Sequence, residues 1–136
     1  MTLKAMKVGI ISKEQYIRRT IAIAKGTYTP KRSDPKIWFE SLNSLSQVLS
    51  AENQALLKLI VEHKPRSLVE LEALSSRRKS NLSRTLKTLE KYGIVDLAKV
   101  KGKVVPKVKA TDFKVEFGLN LSAPVPSTEN QHLAHA

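Results

Sequence analysis

The chain has 136 residues, no cysteine and a formal net charge of +12 at pH 7. A chain of this length buries one modest core, and the lack of cysteine excludes a disulfide framework and zinc fingers with cysteine ligands. The positive charge predicts attraction to a polyanion, without distinguishing DNA, RNA, acidic protein and anionic membrane. No apolar run approaches the length of a membrane span and the N-terminus lacks a signal-peptide segment, so we expect a soluble cytoplasmic protein with no membrane partner.

The N-terminal residues predict a strand followed by a helix. Residues 7–12 have the composition of a short strand, and residues 13–25 are predicted to form a helix that Ser12 caps. Gly26 ends this unit. A polar segment with two prolines follows, which indicates an N-terminal strand-helix arm over residues 1–26 and a linker over residues 27–36.

The next two helices are predicted from their apolar spacing. Residues 37–49 place Trp38, Leu42, Leu45 and Leu49 on one helical face, which predicts a single packed helix. Residues 51–63 carry a wide apolar face of leucine, isoleucine and valine, and Ser50 precedes them as an N-cap. Both helices are expected to pack in a core.

Ser67 and Glu70 have the spacing of a capping box and predict the start of a short helix. Residues 75–79 then form a tight turn before a second helix, on which Leu82, Leu86 and Leu89 make a single apolar stripe. The opposite side of that helix carries cations and hydroxyl groups, and Ser80 is predicted to be its N-cap. This arrangement predicts a helix-turn-helix whose second helix reads DNA.

A β-hairpin is predicted after the helix. Strands over residues 94–100 and 103–109 flank Lys101 and Gly102, a pair suited to a tight turn. This hairpin would be a wing with lysines at its tip. Residues 113–119 predict a further strand, and the composition of residues 120–136 predicts a flexible tail.

We therefore predict an α+β fold, mainly helical, in which residues 37–119 form a winged helix-turn-helix domain. Residues 64–109 contain thirteen lysines and arginines against four acids, so the excess charge lies where the reading motif lies. From this pattern, the residues predicted to contact DNA are Lys79, Asn81, Ser83, Arg84 and Lys87 of the helix and Lys99, Lys101 and Lys103 of the hairpin.

Other interpretations of these residues stay open. The cationic helix could be a solvated face packed on an unrelated partner, and lysines at a hairpin tip also discourage edge-to-edge pairing of strands. Arg18 and Arg19 could contact phosphate, contact an acidic protein surface or simply be solvated. RNA binding is disfavoured because the sequence lacks the aromatic platforms on which bases stack.

The sequence contains no catalytic constellation, and we expect no enzyme activity, cofactor or metal. The serines fall at helix caps and on the reading helix rather than beside a base. His132 and His135 have no third ligand nearby in the sequence, so a solvated tail is favoured over a metal site.

The segment SNLSRTLKTLEKYGIV at residues 80–95 resembles MarR-like winged helix-turn-helix regulators. Together with PKIWFESLNSLSQVLSAENQALL at residues 35–57 and YIRRTIAIAKG at residues 16–26, the chain resembles small prokaryotic DNA-binding proteins of the TumA antitoxin type. This resemblance covers residues 6–119. It implies a repressor that binds and neutralises a small toxin and shuts off its own operon. The resemblance gives the DNA-reading role to Arg77, Arg78, Lys79, Ser80, Asn81, Ser83, Arg84 and Lys87.

The expected function is therefore a sequence-specific DNA-binding repressor that acts as an antitoxin and forms a homodimer. The helix predicted over residues 37–49 or the N-terminal arm is the expected dimer interface, because each offers apolar surface. Two alternatives remain: a winged-helix regulator without a toxin, and a protein-interaction module whose DNA binding is secondary.

Overall fold

A computed structural model describes residues 4–119 of the chain. In chain order its elements are β1 (Lys4–Ile10), α1 (Lys13–Lys25), β2 (Ile37–Phe39), α2 (Leu42–Val48), α3 (Ala51–His63), α4 (Leu68–Ser75), α5 (Lys79–Lys91), β3 (Val95–Val100), β4 (Lys103–Val108) and β5 (Ala110–Glu116). The predicted α+β class with more helix than strand is confirmed. The predicted tail, with its two histidines, lies outside the described residues.

The strands form two sheets. The first has the order β2-β1-β5 with parallel pairing on both sides of β1, and the second is the antiparallel hairpin of β3 and β4. In the first sheet Val8 is paired with Ile37 on one side and with Val115 on the other. The strand predicted for the N-terminal arm is thus the central strand, hydrogen-bonded to strands from later in the chain.

The single helix predicted over residues 37–49 is wrong in its first half. Ile37 and Phe39 are buried on one side of β2, and the intervening Trp38 lies on the other side, next to Gly9 of β1. The helical segment begins only after Ser41, whose side chain accepts a hydrogen bond from the amide of Ser44. Pairing with β1 satisfies the backbone of residues 37–39, and the period-two burial of a strand replaces the helical pattern.

The apolar stripe predicted on α5 is confirmed as its buried face. Leu82, Leu86 and Leu89 are at most 1% exposed. They belong to one core together with side chains of α3, α4, β1 and β2. Phe39 stacks on Tyr92 with 4.3 Å between ring centroids, which joins β2 to the end of α5.

Local signals placed several boundaries correctly. Ser12 caps α1 in a reciprocal capping box with Gln15, and Gly26 ends the helix in the left-handed region with φ of 80°. Ser50 and Ser67 cap α3 and α4 as predicted. The strand predicted over residues 113–119 instead begins and ends three residues earlier, as β5, because its register is set by pairing with β1. None of the described helices combines the length and the apolarity needed to cross a membrane.

Candidate nucleic-acid interface

Helices α4 and α5 are joined by the three residues Ser76, Arg77 and Arg78. Ser76 takes the left-handed conformation with φ of 61°, and its amide donates to the carbonyl of Glu72, which closes α4. Helix α5 then begins at Lys79. The connection is short, so the two helices are in direct contact and their relative orientation is fixed.

The predicted N-cap of α5 is wrong. Ser80 lies inside the helix, which begins one residue earlier, and Arg78 in the N-cap position makes no side-chain capping bond. The carboxylate of Glu72 on α4 performs this task by accepting a 3.0 Å hydrogen bond from the amide of Lys79. The negative charge of this carboxylate also interacts favourably with the positive end of the helix dipole at the N-terminus. The cap therefore comes from the neighbouring helix, which local spacing could not reveal.

The outward side of α5 is cationic and polar. Ser83 is partly buried, and the exposed residues among those predicted to contact DNA are Arg78, Lys79, Ser80, Asn81, Arg84 and Lys87. Within residues 4–119 the ion pairs are Lys7 with Glu116 and Arg19 with Asp34, so no acid neutralises a cation of this side. The structure brings these residues together on one surface, with their charges available to a ligand.

Arg77 differs from the other predicted contacts because its side chain is committed within the protein. Its Nε donates to Oδ1 of Asn81 at 2.8 Å, Nη1 donates to Oδ1 of Asn53 at 3.1 Å, and Nη2 donates to Oγ1 of Thr85 at 2.8 Å. One guanidinium therefore links α3 to two successive turns of α5. This geometry gives Arg77 a positioning role, and it leaves the amide NH₂ group of Asn81 directed away from the Arg77 bond.

The β3-β4 hairpin places its lysines around the tip. Lys101 and Gly102 take positive φ values of 53° and 79°, the conformation of a type I′ turn. Lys99 and Lys103 are both exposed but lie on opposite faces of the hairpin, since Lys99 is paired with Val104 and Lys103 with Val100. The three lysines share the tip, but not one face.

Lys107 was not among the predicted contacts. It is exposed on β4 and lies on the same face as Lys103, four residues along the strand. Because side chains alternate between the two faces of a strand, the sequence spacing could have placed Lys107 on the face of Lys103. One face of the hairpin thus carries two lysines of β4 beside the turn lysine.

Arg19 is not part of this surface. Its guanidinium pairs with Asp34 at 3.2 Å and lies 5.0 Å from the ring centre of Trp38. These contacts give Arg19 a role within the fold, which none of the three interpretations made from the sequence included. No cluster of three or more metal-binding side chains occurs in the described part of the chain.

Comparison with known proteins places the chain in a family. No curated protein and no solved structure matches it. The profile of the HVO_A0114 family matches residues 48–115, which run from the end of α2 through α3, α4, α5 and the hairpin to most of β5. Because this match covers half of the 136 residues, the chain belongs to the HVO_A0114 family.

Proposed function

We propose that this protein is a sequence-specific DNA-binding repressor with a winged helix-turn-helix domain. The observation that carries the proposal is the exposed side of α5, on which lysine, arginine and short polar side chains lie together without an acidic partner among the described residues. The order of α4, a three-residue turn, α5 and a lysine-tipped hairpin is also the order of elements in a winged helix-turn-helix.

Helix α5 would enter the major groove with its N-terminal half. Arg84 is exposed and unpaired by any described acid, so its guanidinium is free to donate two hydrogen bonds to a guanine edge. Asn81 would donate through its NH₂ group while Arg77 holds its oxygen. Lys79 and Lys87 would contact phosphates on either side of the groove.

The wing would contact the DNA backbone or the neighbouring minor groove. Lys101 is at the turn, and Lys103 and Lys107 lie on one face of β4, so their reach suits phosphate rather than base edges. A homodimer would place two α5 helices in successive major grooves of a palindromic operator. Each phosphate that the protein neutralises adds about −0.9 to the slope of log affinity against log salt concentration.

The test is fluorescence anisotropy of the full chain on its own upstream DNA and on a scrambled duplex, across salt concentrations. Arg84→Ala should lower the preference for the operator, because a good bidentate base contact contributes about 1–3 kcal/mol of discrimination. Lys101→Ala is the matched control: it should weaken both duplexes alike and reduce the salt slope. Equal affinity of the wild type for both duplexes would refute sequence-specific binding.

The proposal includes an antitoxin role, and its support is the resemblance to TumA-type proteins. That role requires a small protein partner encoded beside this chain. Coexpression of the neighbouring gene product with and without this protein tests the role, because an antitoxin must relieve the growth arrest that the toxin causes. Operator binding without such relief would leave a repressor that acts alone.

A further inference from the structure

Strand β5 has an open edge. It pairs with β1 on one side, and no other described strand lies beside it. Among the other edge strands, β2 is three residues long, β3 is six residues long, and β4 contains Pro106, which cannot donate a ladder hydrogen bond. β5 is seven residues long and has no proline. Long open edges of this kind readily pair with another strand.

A row of apolar side chains continues along this edge beyond the core. Val115 pairs with the buried Val8, and Phe113 pairs with Met6, so both lie on the side of the sheet that faces the core. Val115 is nevertheless 45% exposed, and Phe117 and Leu119, which follow at the same spacing of two, are 55% and 76% exposed. The row has no cover among the described residues.

The opposite face of β5 carries charges of alternating sign, namely Asp112, Lys114 and Glu116. Glu116 also forms an exposed ion pair with Lys7 of β1 within the same chain. An edge that is protected from pairing usually repels a copy of itself through charges. The charges of β5 repel a second copy of the strand only in some pairing registers. Antiparallel pairing centred on Lys114 would set that lysine against its own copy and Asp112 against Glu116, which is repulsive on both counts.

Antiparallel pairing centred on Val115 satisfies both faces. Val115 meets its own copy and Phe113 meets Phe117, so the exposed row gains apolar partners. On the other face Lys114 meets Glu116, once on each side of the twofold axis. Directly opposed residues point to the same face, so one register gives apolar pairs on one face and opposite charges on the other.

A groove beside the strand fits this register. It has a volume of about 550 Å³ and lies between α3 and β5, with Leu57, Val61 and Phe113 among its lining residues. In the pairing centred on Val115, Phe117 of the second copy lies opposite Phe113, at the wall of this groove. Each copy would therefore supply the aromatic side chain that fills the groove of the other.

We propose that two copies of the chain pair through β5 in this register, forming one continuous six-stranded sheet across a twofold axis. This interface rests on the proposed function, which assumes a homodimer. It assigns the dimer contact to β5 instead of residues 37–49 or the N-terminal arm. Such an interface is isologous, because the same strand serves both copies.

Disulfide trapping tests the interface, because the natural chain contains no cysteine. Opposed residues in antiparallel strands have Cα separations of about 4.5–5.5 Å, within the range that a disulfide spans. Full-length Val115→Cys should convert to a disulfide dimer under mild oxidation. Ile21→Cys, at a site 48% exposed against 45% for Val115, is the control and should stay monomeric.

The register has its own test. Lys114→Cys and Glu116→Cys should each form little disulfide dimer alone and should cross-link when the two variants are mixed. In sedimentation velocity, Lys114→Glu should raise the dimer dissociation constant by roughly fivefold or more, since it places like charges opposite each other twice. Adding Glu116→Lys, together with Lys7→Glu so that the ion pair between residues 7 and 116 of each copy is kept with its signs reversed, should restore dimerisation.

Three results would overturn the proposal: a wild-type monomer at micromolar concentration, equal cross-linking of Val115→Cys and Ile21→Cys, and a lack of rescue in the charge-swapped variant. The same measurement can be made on a chain of residues 1–119. If that chain dimerised and the full chain did not, residues 120–136 of the same molecule would be what occupies the β5 edge. None of these tests involves DNA. A protein that binds its operator specifically but fails them would refute the β5 interface and leave the proposed function standing.

Discussion

The guanidinium of Arg77 donates a 2.8 Å hydrogen bond from Nε to the side-chain oxygen of Asn81, one turn further along the chain. The same guanidinium reaches Asn53 on α3 and Thr85 on α5. Hydrogen bonds between a charged donor and a neutral acceptor contribute about 1.5–3 kcal/mol when the groups are shielded from water. Arg77 thus controls where α5 lies, although its position in the sequence suggested direct contact with DNA.

Arg77→Lys should therefore destabilise the fold by about 1–3 kcal/mol, because lysine keeps the charge but loses the planar fork that reaches three acceptors. Urea unfolding followed by circular dichroism measures this change. Arg84→Lys is the matched control on the same helix and, being exposed, should alter stability by less than about 0.5 kcal/mol. Equal stabilities of the two variants would contradict the positioning role of Arg77.

Glu72→Ala should lower stability by about 0.5–2 kcal/mol, since it removes the acceptor for the Lys79 amide at the start of α5. Ser80→Ala tests the cap that local spacing predicted and should have a much smaller effect, because Ser80 lies inside the helix. Thermal unfolding of both variants under identical buffer compares them. A larger loss for Ser80→Ala would show that the helix begins where the sequence alone suggested.

Gly9→Ala should destabilise the protein by about 1–3 kcal/mol through overpacking. A Cβ atom at position 9 would overlap the Trp38 ring and would lie 2.8 Å from the Pro35 ring, far inside contact distance. Gly118→Ala is the control, since a Cβ atom there meets nothing within 4 Å. Unfolding midpoints measure both changes, and similar midpoints for the two variants would show that Trp38 does not pack on Gly9.

The Asp34 carboxylate should make stability depend on acid pH. Its burial acts to raise its pKa, but hydrogen bonds from the Tyr28 hydroxyl, the Lys31 amide and Arg19 outweigh burial and hold the pKa below the ordinary value of an aspartate. Because the folded pKa lies below the unfolded value of about 3.9, the contribution of Asp34 is present above that value and is lost as the pH falls through the folded pKa.

Asp34→Asn should therefore be less stable than the wild type at neutral pH, with the difference shrinking as the pH falls below about 4. Denaturant unfolding at pH 7, 5, 4 and 3 measures the two curves. A constant difference across this range would mean that the charge of Asp34 does not stabilise the contacts with Arg19 and Tyr28.

Much of the helical structure follows from the sequence alone. Ser12 and Gly26 fix the two ends of α1, and Ser50 fixes the start of α3, because a cap satisfies backbone groups within a few residues of itself. The leucine stripe of α5 likewise follows from helical spacing. The exposed cations of α5 could be predicted for the same reason, since they occupy the side opposite the stripe.

Tertiary structure decided the features that depend on distant partners. Residues 37–39 form a strand only because β1 pairs with them, and Arg77 turns inward because acceptors from α3 and α5 surround it. The cap of α5 comes from Glu72 on another helix. Periodicity and capping act within one or two turns of chain, and they determined α1, α3, α4 and the buried stripe of α5. Sheet order, the packing of Trp38 and the open edge of β5 depend on contacts across the sequence, and only the folded chain brings those groups together.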